Sequence, residues 1–228
     1  MARFKELCLD TTAEDGRIAE FWAAVGGGRA ESYTSTEVPD VVGALEHQNI
    51  AICPVPEAKT AKNRVHLDVY ARAVEDVVAL GARVDRPAEE TGFGWTTMLD
   101  PEGNELCVFV RPDLSALPAW RVHGMGIDSV DSAAIARWWA EALDAELVDH
   151  TAHGDGWWTV EHATPDDTFT WDFAPVPEPK TVKNRLHWDL YGTKQEFVDR
   201  GARLLWEMPR WTVLADPEGN EFCVFPEP

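Results

Sequence analysis

The chain has 228 residues, 45% hydrophobic and 26% charged, with a formal net charge of −20. That is enough for one large domain or two of about 110 residues, each with a workable core. So acidic a surface repels phosphate backbones and anionic headgroups, which argues against nucleic acid and membranes as partners. No run of roughly 18 apolar residues is present. The N-terminal MARFKELCLD lacks the apolar core and cleavage site of a signal peptide, so a cytoplasmic location is expected.

In chain order, Phe4 to Asp10 reads as a strand. The polar stretch TTAEDG follows, where Thr12 or Asp15 is placed to cap a helix through Ile18, Phe21 and Trp22. The glycine run Gly26-Gly27-Gly28 ends that helix. Short strands are expected over Glu31–Thr36, Val41–Leu45 and Asn49–Pro54. The order then recurs, with a strand over Arg64–Tyr70, a helix over Val74–Leu80 closed by Gly81, and a strand from Arg83 onward. A hairpin of Trp95–Leu99 with Glu105–Phe109 completes it. Its turn is Asp100-Pro101-Glu102-Gly103-Asn104, with proline at the second position and Gly103 and Asn104 suited to positive φ.

The rest of the chain repeats this half. PVPEAKTAKNRVHLDVY (Pro54 to Tyr70) returns as PVPEPKTVKNRLHWDLY (Pro175 to Tyr191), with 12 of 17 positions identical. WTTMLDPEGNELCVF (Trp95 to Phe109) returns as WTVLADPEGNEFCVF (Trp211 to Phe225), with 11 of 15 identical. Gly81–Arg83 recurs at Gly201–Arg203, and Ile18–Trp22 parallels Ile135–Trp139. The period is domain-sized, too long for a solenoid. The proline-bearing stretch Arg111 to Trp120 reads as the linker, which gives copies at 1–115 and 116–228. Four strand–helix–strand–strand–strand modules make the chain, an α+β arrangement.

Alternation sorts the strand residues by face. Val65, Leu67 and Val69 oppose His66, Asp68 and Tyr70, and Leu106 and Val108 oppose Glu105, Cys107 and Phe109. Copy two keeps the pattern: His187, Asp189 and Tyr191 share one face, as do Glu221, Cys223 and Phe225. With helices on the apolar face, the polar sets line the opposite, concave side, which is a cavity candidate. Arg64 beside these carboxylates reads as a structural ion pair, with Asp68 or Glu105 as a general base in the functional alternative. The four cysteines, Cys8, Cys53, Cys107 and Cys223, have no paired spacing, so neither a disulfide framework nor a zinc finger is expected.

Doubled βαβββ modules, the H-x-D strand leading to a helix that ends in LGA or RGA, and the D-P-E-G-N hairpin resemble the vicinal oxygen chelate superfamily. Glyoxalase I, bleomycin-resistance proteins and extradiol dioxygenases belong to it. The resemblance covers nearly the whole chain and implies two incomplete-barrel glyoxalase-like domains. Catalytic members hold a divalent metal in the cupped interior, with ligands on the first strand of each module and a Glu on the closing strand. His66 and His187 fall at first-strand ligand positions. The closing Glu is replaced by Cys107 and Cys223, and the leading-module ligand aligns near Glu6 in copy one and His123 or Gly124 in copy two.

Eight of the eleven tryptophans lie between Trp138 and Trp211, which points to copy two as an aromatic pocket. His150, His153 and His162 surround its Trp157-Trp158 pair. The expected function is therefore binding of a small organic molecule, by a monomer or homodimer, through His66, Asp68, Tyr70, Glu105, Cys107, His187, Asp189, Tyr191, Trp211, Glu221 and Cys223. No catalytic residue is assigned and no cofactor is expected, although imidazole and thiolate leave a divalent metal possible. The alternative is a metal-dependent lyase or isomerase acting on a small oxygenated substrate, with His66 or His187 as ligand or base.

Overall fold

The computed structural model describes residues 2–32, 34, 37–112, 118–152 and 156–228. The first module is β1 (Arg3–Thr11), α1 (Arg17–Gly26), β2 (Arg29–Glu31), β3 (Asp40–Val42) and β4 (Ile50–Pro54), with a 3₁₀ turn at Glu46–Gln48. The second is β5 (Val65–Ala71), α2 (Val74–Ala79), β6 (Arg83–Arg86), the one-turn α3 (Ala88–Thr91), β7 (Thr96–Leu99) and β8 (Glu105–Val110). The third is β9 (Val122–Ser129), α4 (Ser132–Leu143), β10 (Glu146–Asp149), β11 (Trp158–Glu161) and β12 (Thr170–Pro175). The fourth is β13 (Leu186–Tyr191), α5 (Lys194–Val198), β14 (Arg203–Glu207), β15 (Thr212–Ala215) and β16 (Glu221–Phe225). The four-module α+β reading holds.

The modules assemble across the two copies. One eight-stranded sheet runs β14-β15-β16-β13-β1-β4-β3-β2, joining the fourth module to the first. The other runs β10-β11-β12-β9-β5-β8-β7-β6, joining the third to the second. The junctions are antiparallel, β1 on β13 and β5 on β9, and neither sheet closes into a barrel. Each sheet thus takes one module from each sequence repeat, and the boundary near 116 lies outside the described residues.

Paired basic loops lock this exchange. The Arg64 guanidinium donates to the Asp128 and Glu178 carbonyls, both at 2.7 Å, and Arg185 donates to those of Asp10 (2.9 Å) and Glu57 (2.7 Å). Lys62 pairs with Asp128 and Lys183 with Asp10. Every one of these contacts joins residues from different copies. The carboxylate that pairs with Arg64 is Glu218, at 4.0 Å, rather than Asp68 or Glu105.

The closing turn is built as its sequence suggests, with one difference. Gly103 takes positive φ (85°), while Asn104 does not. Asn104 instead donates its amide to Asp100 Oδ2, whose other oxygen accepts the Glu102 and Asn104 backbone N–H groups, all at 2.8 Å. The capping of α1 also differs from expectation: its N-cap is Gly16 at φ 76°, without a side-chain cap. Thr12 is unavailable because its backbone N–H and hydroxyl both bind Glu102. The early strands are shorter than expected, at Arg29–Glu31 and Asp40–Val42, and Thr36 lies outside the described residues.

Helices α1 and α4 fill the space between the apolar faces of the two sheets. Trp139 of α4 meets Trp171 of one sheet and Trp188 and Phe222 of the other, with ring centroids 5.0–5.3 Å apart. Part of the tryptophan surplus of copy two is therefore core: Trp139, Trp171 and Trp188 are fully buried, as is Trp22 of copy one. This corrects the pocket reading for those side chains. A helix indole that fills a gap between two sheets serves packing first.

Candidate functional site

On the face turned away from that core, each sheet carries one His-Asp-Cys cluster. In the second sheet β5 presents His66 and Asp68, and the neighbouring parallel strand β8 presents Cys107, in register with Asp68. In the first sheet β13 presents His187 and Asp189, and β16 presents Cys223, in register with Asp189. Donor atoms within each cluster lie within 4.8 Å of one another. Asp68, Cys107, His187, Asp189 and Cys223 are all buried, and His66 is half-buried.

Burial sets the ionisation of both clusters. It pushes His66 down to about 4 and His187 down to about 3, so both imidazoles are neutral at pH 7. It pushes Asp189 up to about 6, and it raises Asp68 well above the usual carboxylate range, with help from the charge of Asp172. Burial also raises both thiols, Cys107 and Cys223, and the neighbouring aspartate of each raises it further. Asp68 Oδ1, Asp189 Oδ1 and His187 Nδ1 are buried without a hydrogen-bond partner.

These shifts carry a testable pH dependence. His187 has its folded pKa lowered, so its contribution to stability is complete above about 6.5 and is lost as pH falls toward 3. By pH 5 that loss is on the order of 2 kcal/mol. Asp189, raised to about 6, acts in the opposite sense and favours the folded chain as pH falls below 6. Thermal unfolding between pH 7 and pH 5 should therefore show a smaller fall in Tm for His187→Gln, and a larger one for Asp189→Asn, than for the parent chain.

Glu105 and Glu221 are engaged elsewhere. Glu105 accepts from Lys59 Nζ (3.0 Å) and the Asn63 backbone N–H (3.1 Å); Glu221 accepts from Lys180 Nζ (2.7 Å) and the Asn184 N–H (3.1 Å). They clasp the basic loops that precede β5 and β13. Tyr191 donates its hydroxyl to Glu46 at 2.6 Å, under the Arg3 guanidinium at 4.1 Å. Trp211 stacks on Phe225 at 5.5 Å, and Lys5 lies 4.8 Å over Phe225. The aromatic faces at the first sheet's rim are thus capped by cations.

In the second sheet a cation again lies over the tyrosine, Arg111 at 5.2 Å from the Tyr70 ring centroid, but the ring set is longer. A bulge in the β5–β9 register, between Asp68 and Val69, brings His123 onto the polar face, where it stacks on Tyr70 at 3.8 Å. Phe109 meets His123 edge-on at 5.0 Å, Trp95 lies 5.4 Å from Phe109, and Phe93 stacks on Trp95 at 4.7 Å. Five rings form a continuous ladder beside Asp68. His123 is pushed down to about 4, mainly by burial and further by Arg111, and its Nε2 has no partner. Two glycines floor the face: Gly124 stands opposite Asp68 and Gly126 opposite His66, and a Cβ at Gly126 would lie 2.3 Å from His66 Nε2. The sequence offers His123 only as a register alternative and assigns Gly126 no role. Paired glycines in the run His123-Gly124-Met125-Gly126 were the available signal, since strand glycines mark close approach.

Other expected features lie apart. His150 stacks on Trp157 at 4.8 Å, and exposed His162 sits 3.4 Å from Asp167; His153 is outside the described residues. A cavity of about 500 Å³ lies between the 180–183 loop, β14 and the Asp216–Gly219 turn, and includes Glu221 but not His187, Asp189 or Cys223. No helix among the described residues is long and apolar enough to cross a membrane.

Two mixed sheets of paired βαβββ modules, each with a polar face on its first and closing strands, define the vicinal oxygen chelate fold. The chain belongs to the glyoxalase-like domain family, whose model matches twice, at residues 6–109 and 124–225. Glyoxalase I from Zea mays superposes with a TM-score of 0.67 at 12% identity, covering 99% of this chain and 92% of that one. The cppA protein from Streptococcus pneumoniae superposes with a TM-score of 0.50 at 11% identity, covering 100% of both chains. Likeness at this identity establishes the fold alone. No curated protein matches the chain in sequence.

The residues do not fit the oxygen-chelating divalent ion of catalytic relatives. Cys107 and Cys223 stand where the closing-strand carboxylate would be, as protonated thiols in register with Asp68 and Asp189. Across the junction, the second sheet offers Gly124 and, through the bulge, His123, which is not among the donors gathered within 4.8 Å, and the first offers Glu6, which is paired with Lys5. One nitrogen, one oxygen and one sulfur donor match a softer ion such as zinc better than an oxygen-rich site.

Proposed function

We propose that the chain binds a small planar organic molecule on the polar face of the second sheet, without the divalent metal of catalytic relatives. The observation that carries this reading is a pair of buried polar atoms that make no hydrogen bond, Asp68 Oδ1, with His66 Nε2 3.6 Å away, and His123 Nε2, together with the ring ladder from Tyr70 to Phe93. Leaving such atoms unpaired costs free energy that a ligand's own donor and acceptor would recover. Flat apolar walls with a few convergent polar groups are the usual makeup of a small-molecule site. His123 is neutral at pH 7, so its ring supplies a hydrogen bond and a stacking surface without a charge.

The second reading, a metal-dependent lyase or isomerase, is favoured by the convergence of His66, Asp68 and Cys107 donors. One experiment separates the two. The chain is stripped with a chelator, analysed for metals after soaking in zinc, nickel, manganese and iron, and titrated calorimetrically with planar aromatic metabolites and drugs. Ligand binding predicts micromolar or tighter affinity by the metal-free chain, with the compound recovered unchanged and affinity at least tenfold weaker in Asp68→Ala. Only millimolar affinities across the panel would sink it. Stoichiometric metal, with turnover lost in His66→Ala, would establish the enzyme instead.

A further inference from the structure

The first sheet holds chemistry that the second does not. Cys8 on β1 and Cys53 on the parallel neighbour β4 bring their sulfurs to 2.7 Å. Cys8 is buried opposite His187, while Cys53 is half-buried and reaches solvent. The matching positions in the second sheet follow from register. Gly126 stands opposite His66 as Cys8 does opposite His187, and Ala174 neighbours Asp128 as Cys53 does Asp10. Duplication therefore does not account for the pair. The cluster cysteines Cys107 and Cys223 are common to both sheets, whereas this dithiol belongs to one.

We propose that Cys8 and Cys53 are a reversible disulfide-forming site, oxidised by low-molecular-weight disulfides through the half-buried thiol of Cys53. As thiolate, Cys53 attacks one sulfur of R–S–S–R, forming a mixed disulfide and releasing RS⁻, which takes up a proton. Cys8, already in contact, then displaces the second RS⁻ and gives its own proton to solvent. The protein loses two hydrogens, and the oxidant is reduced to two R–SH. The order follows from the surroundings: the hydrogen bond with Cys53 and burial both raise the Cys8 thiol, which makes it the resolving partner. The new bond ties β1 to β4 beside His187, so it alters one polar face and leaves the other unchanged.

The test uses the full reduced chain and oxidised glutathione. After exposure, free thiols are blocked with N-ethylmaleimide under denaturing conditions and the digest is mapped by mass spectrometry. A linked Cys8–Cys53 peptide, with Cys107 and Cys223 still blocked and all four thiols recovered with dithiothreitol, is the expected result. In Cys8→Ser the expected product is a glutathione adduct that persists on Cys53. Blocking of all four cysteines in the parent chain, or a glutathione adduct on Cys53 that never resolves, would overturn the proposal.

Discussion

Trp139→Ala should remove on the order of 5 kcal/mol of folding free energy. Emptying a buried tryptophan site costs about 3–5 kcal/mol in transfer and cavity terms. This indole also touches Trp138, Trp171, Trp188, Phe197 and Phe222, residues of α4 itself, α5 and both sheets, so no single element can collapse into the gap. A second cost comes from Asp216, whose Oδ2 accepts the Trp139 Nε1–H at 3.1 Å. Burial already pushes that carboxyl up to about 6, and losing one of its donors adds about 1–3 kcal/mol. Since domains are stable by only about 5–15 kcal/mol, the variant should be largely unfolded or insoluble at 37 °C. Trp139→Phe keeps most of the volume and loses mainly the hydrogen bond, so its urea midpoint should lie between parent and alanine variant. Equal midpoints for alanine and parent would show that Trp139 does not join the two sheets as described.

Much of this architecture was legible in the residues, and the failures have physical causes. Strand alternation alone sorted Val65, Leu67 and Val69 from His66, Asp68 and Tyr70, because one sheet face had to be buried. The D-P-E-G-N turn was readable because its chemistry is local. Pairing across copies was not readable. Both pairings bury the same apolar faces, and the deciding contacts, such as Arg64 on the Glu178 carbonyl and Arg185 on that of Glu57, span more than a hundred residues. Tryptophan count misled for a related reason. Composition does not say which side of an element a side chain takes, and Trp139 and Trp188 point into the core. Glu105 reads from the strand pattern as a partner of Arg64 or a general base, whereas its partners are Lys59 and the Asn63 backbone N–H. The bulge that turns His123 toward Tyr70 is a register irregularity that no periodicity announces.

Gly126→Val should abolish ligand binding at the second sheet while the chain stays folded. Gly126 does not take positive φ, so its backbone accepts any side chain and the effect is purely steric. A Cβ there would sit 2.3 Å from His66 Nε2 and 2.4 Å from Cε1, so the imidazole must swing away and the valine methyls occupy its place. Overpacking of this kind costs about 1–3 kcal/mol, which a folded domain tolerates. The matching position of the first sheet already carries a side chain, Cys8, opposite His187. That comparison makes glycine at 126 the room in which the His66 imidazole lies, rather than a demand of the strand. Affinity for a ligand found with the parent chain should fall at least a hundredfold in Gly126→Val, as read by calorimetry, and stay within threefold in Cys8→Ala. The reverse pattern would move the ligand to the first sheet, beside His187 and Asp189. Unchanged affinity in both would remove it from either polar face, and with it the reason for Asp68 and His123 to stand unpaired.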